Sequence, residues 1–246
     1  MTDAVLPAPF RLIARDSVGS TNDEARRLAL SGAAADFVVV SAVEQTQGRG
    51  RRGRVWVSPR GNLHFSCLLA VGSLATAAQL GFVAAVALVD ALAELVPDAA
   101  FRAKWPNDVL MNGRKVAGML LEPAGEGWLV LGIGVDVVQC PPPDAVMYPA
   151  GALAHAGFAG SSDEVLAAFC RHFGPWVERW RREGFAPVRT AWLARARGVG
   201  DPVVVRLEGE TLTGLFAGLD EEGALLLDAG STVQRVMAGD VYFPPA

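Results

Sequence analysis

The sequence predicts an α+β fold: a mixed, largely antiparallel sheet flanked by helices, followed by a small C-terminal β-barrel. Three observations predict it. Between Phe101 and Val138, short β-branched and apolar runs are separated by tight turns, Asn112-Gly113 the strongest of them. Helical patterns stand before and after that meander instead of alternating regularly with its strands. Beyond Gly198 the pattern changes to short strands and close turns. The expected division is a larger unit over 1–197 and a β-rich unit over 198–246.

The elements follow in order. Phe10 to Ala14 reads as a short strand. Ser20-Thr21-Asn22 opens a helix running to Leu30, with Thr21 and Glu24 at capping-box spacing and Gly32 as the stop. Phe37 to Val43 is a β-branched strand. Leu63 to Val71 reads as a strand and Thr76 to Val96 as an alanine-rich helix. Phe101 to Trp105 is a strand halted by Pro106. Val109 to Met111 and Lys115 to Glu122 form a hairpin about Asn112-Gly113, and Trp128 to Val138 follows a second turn at Gly125 to Gly127. Pro141 to Gly160 is irregular. Ser161 and Glu164 cap a long helix to about Glu183, and Pro187 to Ala196 reads as another. In the tail, strands are expected at Val203 to Leu207, Leu212 to Leu219, Ala224 to Leu227 and Val233 to Met237.

The 246 residues are 51% hydrophobic and 20% charged, which implies a sizeable core and excludes a disordered chain. Net charge is −4, so positive charge in this protein marks a local site and not a general polyanion surface. Cys67, Cys140 and Cys170 are too far apart for a metal or disulfide framework, and reducing cytoplasm is the expected compartment. No basic region precedes an apolar run over Met1 to Phe10, so no leader is read there. Gly61 to Val89 lacks every charged residue. Its polar interruptions and the turn at Gly72-Ser73 make it a buried strand and a core helix, not a membrane span.

The most informative segment is Gly48-Arg49-Gly50-Arg51-Arg52-Gly53-Arg54. Glycine lets a backbone close around a ligand, and guanidinium forks suit phosphate and carboxylate. Alone it fits an anionic small molecule or a nucleic-acid patch. Three further patches accompany it. Ser20-Thr21-Asn22 offers hydroxyls and free N–H groups at a helix start. Lys104-Trp105-Pro106-Asn107-Asp108 sets an amide and a carboxylate at a rigid corner, where Asp108 could meet Mg²⁺ on a nucleotide. Lys115 opens an apolar strand and could enter a site from its edge. Gly132 and Gly134 suggest close approach by a ligand or another strand; the context of a dinucleotide fingerprint is missing.

Taken together and in this order, these motifs resemble the biotin protein ligase family over about Phe10 to Val138, and more loosely in the tail. The Gly-Arg loop, Trp56 at its spacing, Lys104 to Asp108, Lys115 with Gly118, and Ser20 to Asn22 carry the resemblance. It implies the biotin/lipoate ligase type of catalytic domain with an SH3-like barrel. The implied reaction joins biotin to MgATP as biotinyl-5′-AMP, then transfers biotin to a lysine of a carboxylase's carrier domain.

By the same resemblance, Lys115 and Arg51 act catalytically. Ser20, Thr21, Asn22, Gln45, Gly48, Arg49, Arg51, Lys115 and Gly118 contact biotin. Arg49, Arg52, Arg54, Trp56, Asn107, Asp108, Lys115 and Asp136 contact ATP, with Asp108 the candidate for Mg²⁺. The loop is expected to order over the ligand, Trp56 to stack on adenine and Gly118 to leave room for biotin. Asp136 departs from the family's usual Asn, and Gln47 from a small residue. With the first motif at Ser20, no amino-terminal repressor domain is expected. A cytoplasmic monomer or homodimer without nucleic-acid or membrane partners is implied. The alternatives are a lipoate or octanoate ligase or transferase of the same fold, and a non-catalytic nucleic-acid binder using the arginine loop.

Overall fold

The computed structural model describes residues 5–146 and 148–243. Residues 1–4, where no leader is expected, Met147 and residues 244–246 lie outside them. The first sheet contains β1 (Arg11–Val18), β2 (Val38–Gln45), β3 (Leu63–Ala70), β4 (Phe101–Lys104), β5 (Asp108–Met111), β6 (Arg114–Pro123) and β7 (Trp128–Val135), in the order β1-β2-β3-β7-β6-β5-β4. Only β1 and β2 pair in parallel, joined through helix α1 (Thr21–Leu30); the remaining ladders are antiparallel. The expected mixed sheet is therefore present. The turn between β5 and β6 places Asn112 at φ 49° and Gly113 at φ 78°, the conformation its sequence demands.

The two faces of this sheet are finished differently. Phe65, Cys67, Leu69, Leu131, Ile133 and Val135 face a large core shared with α3 (Gln79–Leu95), α4 (Ser162–Glu183) and α5 (Phe185–Arg195). Buried aromatics interlock there, with Phe169 stacked on Phe173 at 4.8 Å. On the opposite face α1 covers only a small cluster, Ala25, Val38, Val40, Leu68, Ala124 and Val130. Beside it the sheet presents Gly118, Gly132 and Gly134 toward a cavity.

Several local readings need correction. The first strand is longer than expected because parallel pairing with β2 extends it through Val18. Thr21 and Glu24 make no capping box: Ser20 is the cap residue, and Glu24 pairs with Arg27 at 2.7 Å. The alanine-rich helix is divided into α2 (Leu74–Ala77) and α3. α3 is buried on nearly all sides, and no helix among the described residues is long and apolar enough to cross a membrane. Ser161 and Glu164 do form the expected capping box.

The tail forms an antiparallel sheet of β8 (Pro202–Arg206), β9 (Thr211–Leu219), β10 (Leu225–Asp228), β11 (Val233–Val236) and β12 (Asp240–Tyr242), ordered β11-β10-β9-β8-β12. Its last strand was absent from the sequence reading. This module docks on the larger unit through Trp192 against Phe216 and through the Trp105 indole, which donates to the Gly223 carbonyl at 3.2 Å. Trp105 is 2% exposed, so losing its N–H leaves a buried carbonyl without a donor. Trp105→Phe should cost about 1–3 kcal/mol in urea unfolding. An unchanged midpoint would show that the bond contributes nothing to docking.

Candidate functional site

The uncovered half of the sheet, the Gly-Arg loop and the tail enclose a cavity of about 490 Å³, within the range of small-molecule sites. Among the described residues, its lining carries Arg49, Arg51, Arg54, Lys104 and Lys115 against Asp108, Asp136 and Asp240. A chain of net charge −4 thus concentrates positive charge at one cavity.

Its floor is built around Asp108 at the start of β5. Lys115 Nζ lies 2.6 Å from one carboxylate oxygen, and Lys104 Nζ lies 3.4 Å from the other. Burial works to raise the Asp108 pKa, but the charges of Lys115 and Lys104 outweigh it and hold the carboxyl below its ordinary value. Burial lowers the pKa of Lys104, against the pull of Asp108. The ammonium of Lys104 also sits 4.7 Å from the centre of the Tyr148 ring. Lys104 is 5% exposed and Lys115 is part-exposed, so one ammonium is sealed while the other reaches the cavity.

A carboxylate already shared by two ammoniums is poorly suited to ligate a cation. No group of three or more His, Cys, Asp or Glu side chains among the described residues could hold a metal. The expectation of Mg²⁺ at Asp108 therefore does not fit these residues.

At the α1 end, Gln45 organises the helix start. Its Oε1 accepts from the Thr21 N–H at 2.8 Å and from the Thr21 hydroxyl at 3.0 Å, supplying the cap that Ser20 does not. Asn22 donates to Glu122 at 2.6 Å, while Ser66 Oγ lies 2.5 Å from Asn22 Oδ1 and 2.7 Å from Thr21 Oγ1. Arg49 joins the same network through two bonds to Asp23 and two to Glu122. Those carboxylates raise its pKa, with the Asp23 hydrogen bond the largest cause. Ser20, Thr21, Asn22, Gln45 and Arg49 all line the cavity.

The glycines admit side chains from elsewhere. A Cβ on Gly132 would collide with Asn22, and one on Gly134 with the Trp56 indole. A Cβ on Gly118 would lie 3.2 Å from Trp56 and 3.3 Å from Lys115 Nζ. In this structure the room opened by Gly118 is thus taken by Trp56 and Lys115. The indole Nε1 of Trp56 is buried and has no hydrogen-bond partner among the described residues. The Lys115 ammonium stands 5.5 Å from its ring.

Two expected contacts do not reach the cavity lining. Gly48 is a packing position, since a Cβ there would meet the Trp56 carbonyl at 2.5 Å and Ser58 Oγ at 2.6 Å. Arg52 turns toward the tail, 3.4 Å from Asp240. Arg54 also hydrogen-bonds Asp240, while Arg51 donates to Asn107 Oδ1 at 3.3 Å and to the Gly239 carbonyl at 3.4 Å. Asn107 in turn donates to the Met119 carbonyl at 2.6 Å. Asp240, Tyr242, Tyr148, Glu122 and Asp23 escaped the sequence reading. For Asp240 the one available signal was an acidic residue after Gly239, within a short terminal apolar pattern. Lys104 stood in a named motif but had no assigned role.

Asp136 follows β7 and is 3% exposed. Asn62 donates to its Oδ1 at 3.1 Å and accepts from the backbone N–H groups of residues 137, 138 and 139. Burial pushes the Asp136 carboxyl up to about 7, with the Lys115 charge opposing. The folded chain therefore holds this proton to higher pH than the unfolded chain. The associated stability is present at low pH and is lost as pH rises from about 4 through 7. Asp136→Asn lacks that loss. Its stability relative to wild type should improve by roughly 1–3 kcal/mol between pH 5 and pH 8 in urea unfolding. Parallel pH profiles would contradict a buried, proton-retaining Asp136.

Residues 16–136 match the model of the biotin/lipoate A/B protein ligase family, and residues 198–243 match the biotin protein ligase C terminal domain. A biotin–[acetyl-CoA-carboxylase] ligase of Paracoccus denitrificans is 43% identical over 236 residues, covering 91% of this chain and 97% of the relative. A biotin–[acetyl-CoA-carboxylase] ligase of Mycobacterium tuberculosis is 36% identical, covering 91% and 85%. Among solved structures, the biotin protein ligase from Aquifex aeolicus in complex with biotin and ATP aligns with a TM-score of 0.81. It is 29% identical, with coverage of 94% of this chain and 97% of that one. Similarity of this extent, running through both modules, shows that the chain belongs to the biotin protein ligase family.

Proposed function

We infer that this chain is a biotin protein ligase, which activates biotin with ATP and transfers it to a lysine of a biotin carboxyl carrier domain. The observation that carries the reading is the pair Lys104 and Lys115 on Asp108, beneath a cavity also lined by Arg51 and Arg54. The reaction brings a carboxylate against a triphosphate. Fixed cations are needed where the two anions meet and where pyrophosphate departs.

In the first step a carboxylate oxygen of biotin attacks the α-phosphorus, and the bond to pyrophosphate breaks. In the second, the carrier lysine's amine attacks the acyl carbon of biotinyl-5′-AMP, loses a proton and expels AMP. We assign Lys115 to the reacting carboxylate and phosphate, because its ammonium reaches the cavity while Asp108 fixes its position. Arg51, held by Asn107, is assigned to the phosphates. Thr21, Asn22 and Gln45 are assigned to the biotin end, where their hydrogen-bonding groups converge. Trp56, Asn107 and Asp136 are assigned to the nucleotide end. Magnesium would arrive on ATP, where it would neutralise phosphate charge.

The same reading includes a catalytic unit over 1–197, a tail unit over 198–246, a monomer or homodimer, and a cytoplasmic location. Cys67, Cys140 and Cys170 are all free thiols, consistent with a reducing compartment. A nucleic-acid role for the Gly-Arg loop is disfavoured by its contacts. Arg49, Arg51, Arg52 and Arg54 are engaged by Asp23, Glu122, Asn107 and Asp240. A lipoate reading has no support from the relatives that are 43% and 36% identical, which are named for biotin.

Exchange of labelled pyrophosphate into ATP should depend on biotin and not on lipoate. Equal or greater exchange with lipoate would overturn the substrate assignment. Lys115→Ala should stay folded and lose about 2–4 kcal/mol of transition-state stabilisation, read from kcat/KM for exchange. Near-normal exchange would remove Lys115 from the reaction.

A further inference from the structure

The four arginines of the Gly-Arg loop are not held by one module. Arg49 is fixed by Asp23 and Glu122 of the larger unit, but Arg52 and Arg54 are both fixed by Asp240 of the tail. Asp240 opens β12, whose backbone pairs with β8 at Arg206. Its carboxylate is only 19% exposed, whereas the two guanidiniums are 40% and 49% exposed. Burial would raise the Asp240 pKa, but Arg54, Arg52 and Arg51 outweigh it and keep the carboxylate ionised below its ordinary value.

The loop backbone shows why an anchor is needed. Arg52 sits at φ 56° and Gly53 at φ 69°. A non-glycine residue in the left-handed region is unfavourable and persists where contacts over-determine it. The loop offers few such contacts of its own: none of Arg51 to Gly53 is fully buried. Two backbone bonds between Gly50 and Arg54 and between Gly48 and Trp56 close its base. Beyond them, its outer half is tied down by Asn107, the Gly239 carbonyl and Asp240.

We propose that Asp240 is a positioning residue for the adenylation. Acting through Arg52 and Arg54, it holds the Gly48–Arg54 loop across the cavity, so that the tail completes the wall around the acyl-adenylate. It touches no reacting atom in this role. The consequence lies in containment: an acyl-adenylate is consumed by water unless the site is closed. This kinetic consequence rests on the ligase reading; the anchoring of the loop does not.

The test uses the full chain with Asp240→Asn, which preserves size and removes charge, and Asp240→Glu, which restores charge. Amide hydrogen exchange is measured without ligand across 47–54 and across β8 to β12. Asp240→Asn should speed exchange of the loop by about three- to tenfold, the range for a partly exposed ion-pair cluster, and leave the β-strand amides of the tail unchanged. Asp240→Glu should recover most of the protection. Unchanged loop exchange would overturn the proposal, as would faster exchange spread equally through the tail. In a second measurement, AMP release with biotin and ATP but without carrier should rise several-fold in Asp240→Asn, at unaltered biotin KM. Loop loosening without that rise would overturn the containment role. Absence of biotin-dependent pyrophosphate exchange into ATP in wild type would overturn the ligase reading alone, leaving the amide-exchange result to judge the anchor.

Discussion

One buried carboxylate shared by two lysines governs this site. Asp108 holds Lys104 and Lys115 side by side, and without it two ammoniums would repel each other beneath the cavity. The pairing sets the division of labour. Lys104, nearly sealed and backed by Tyr148, supplies fixed charge from below, while Lys115 extends into the cavity. It also explains why Asp108 is a poor metal ligand despite its place beside an asparagine at a strand corner. For a reaction that joins two anions, a floor that stays positive matters more than another carboxylate free for a cation.

The fold makes room for that floor by leaving one face of the sheet half covered. Three long helices bury the opposite face, which leaves β6 and β7 free to carry Gly118, Gly132 and Gly134 where larger residues would fill the cavity. Asn22 and Trp56 use that space, arriving from a helix start and from the end of the Gly-Arg loop. The tail then supplies Asp240 and Tyr242, so the cavity wall is discontinuous in sequence from residue 20 to residue 242. Trp105 couples the cavity floor to the tail, because the motif that carries Lys104 and Asp108 also bonds the tail at Gly223.

What the sequence disclosed follows from the range of the forces involved. The Asn112-Gly113 turn and the Ser161–Glu164 cap were legible because neighbouring residues alone determine them. Most of the cavity lining was legible because its residues stand in compact motifs. The failures at the site are non-local. Thr21 looked like a partner for Glu24, yet Gln45, 24 residues away, takes its N–H and hydroxyl. Gly118, read as space for a ligand, does line the cavity, but that Trp56 and Lys115 crowd it could not be read from its neighbours in sequence. Asp240 carries no periodicity or motif; its meaning comes from Arg52 and Arg54, nearly the whole chain away.

The sharing of Asp108 is tested most directly by following the Lys104 ammonium through its titration by NMR, in wild type and in Asp108→Asn. The carboxylate raises the Lys104 pKa against the effect of burial, so its removal should lower that pKa further while the chemical shifts of the core stay in place. A Lys104 titration that is the same in both proteins would contradict the account, because the floor of the cavity would then hold its charge without Asp108.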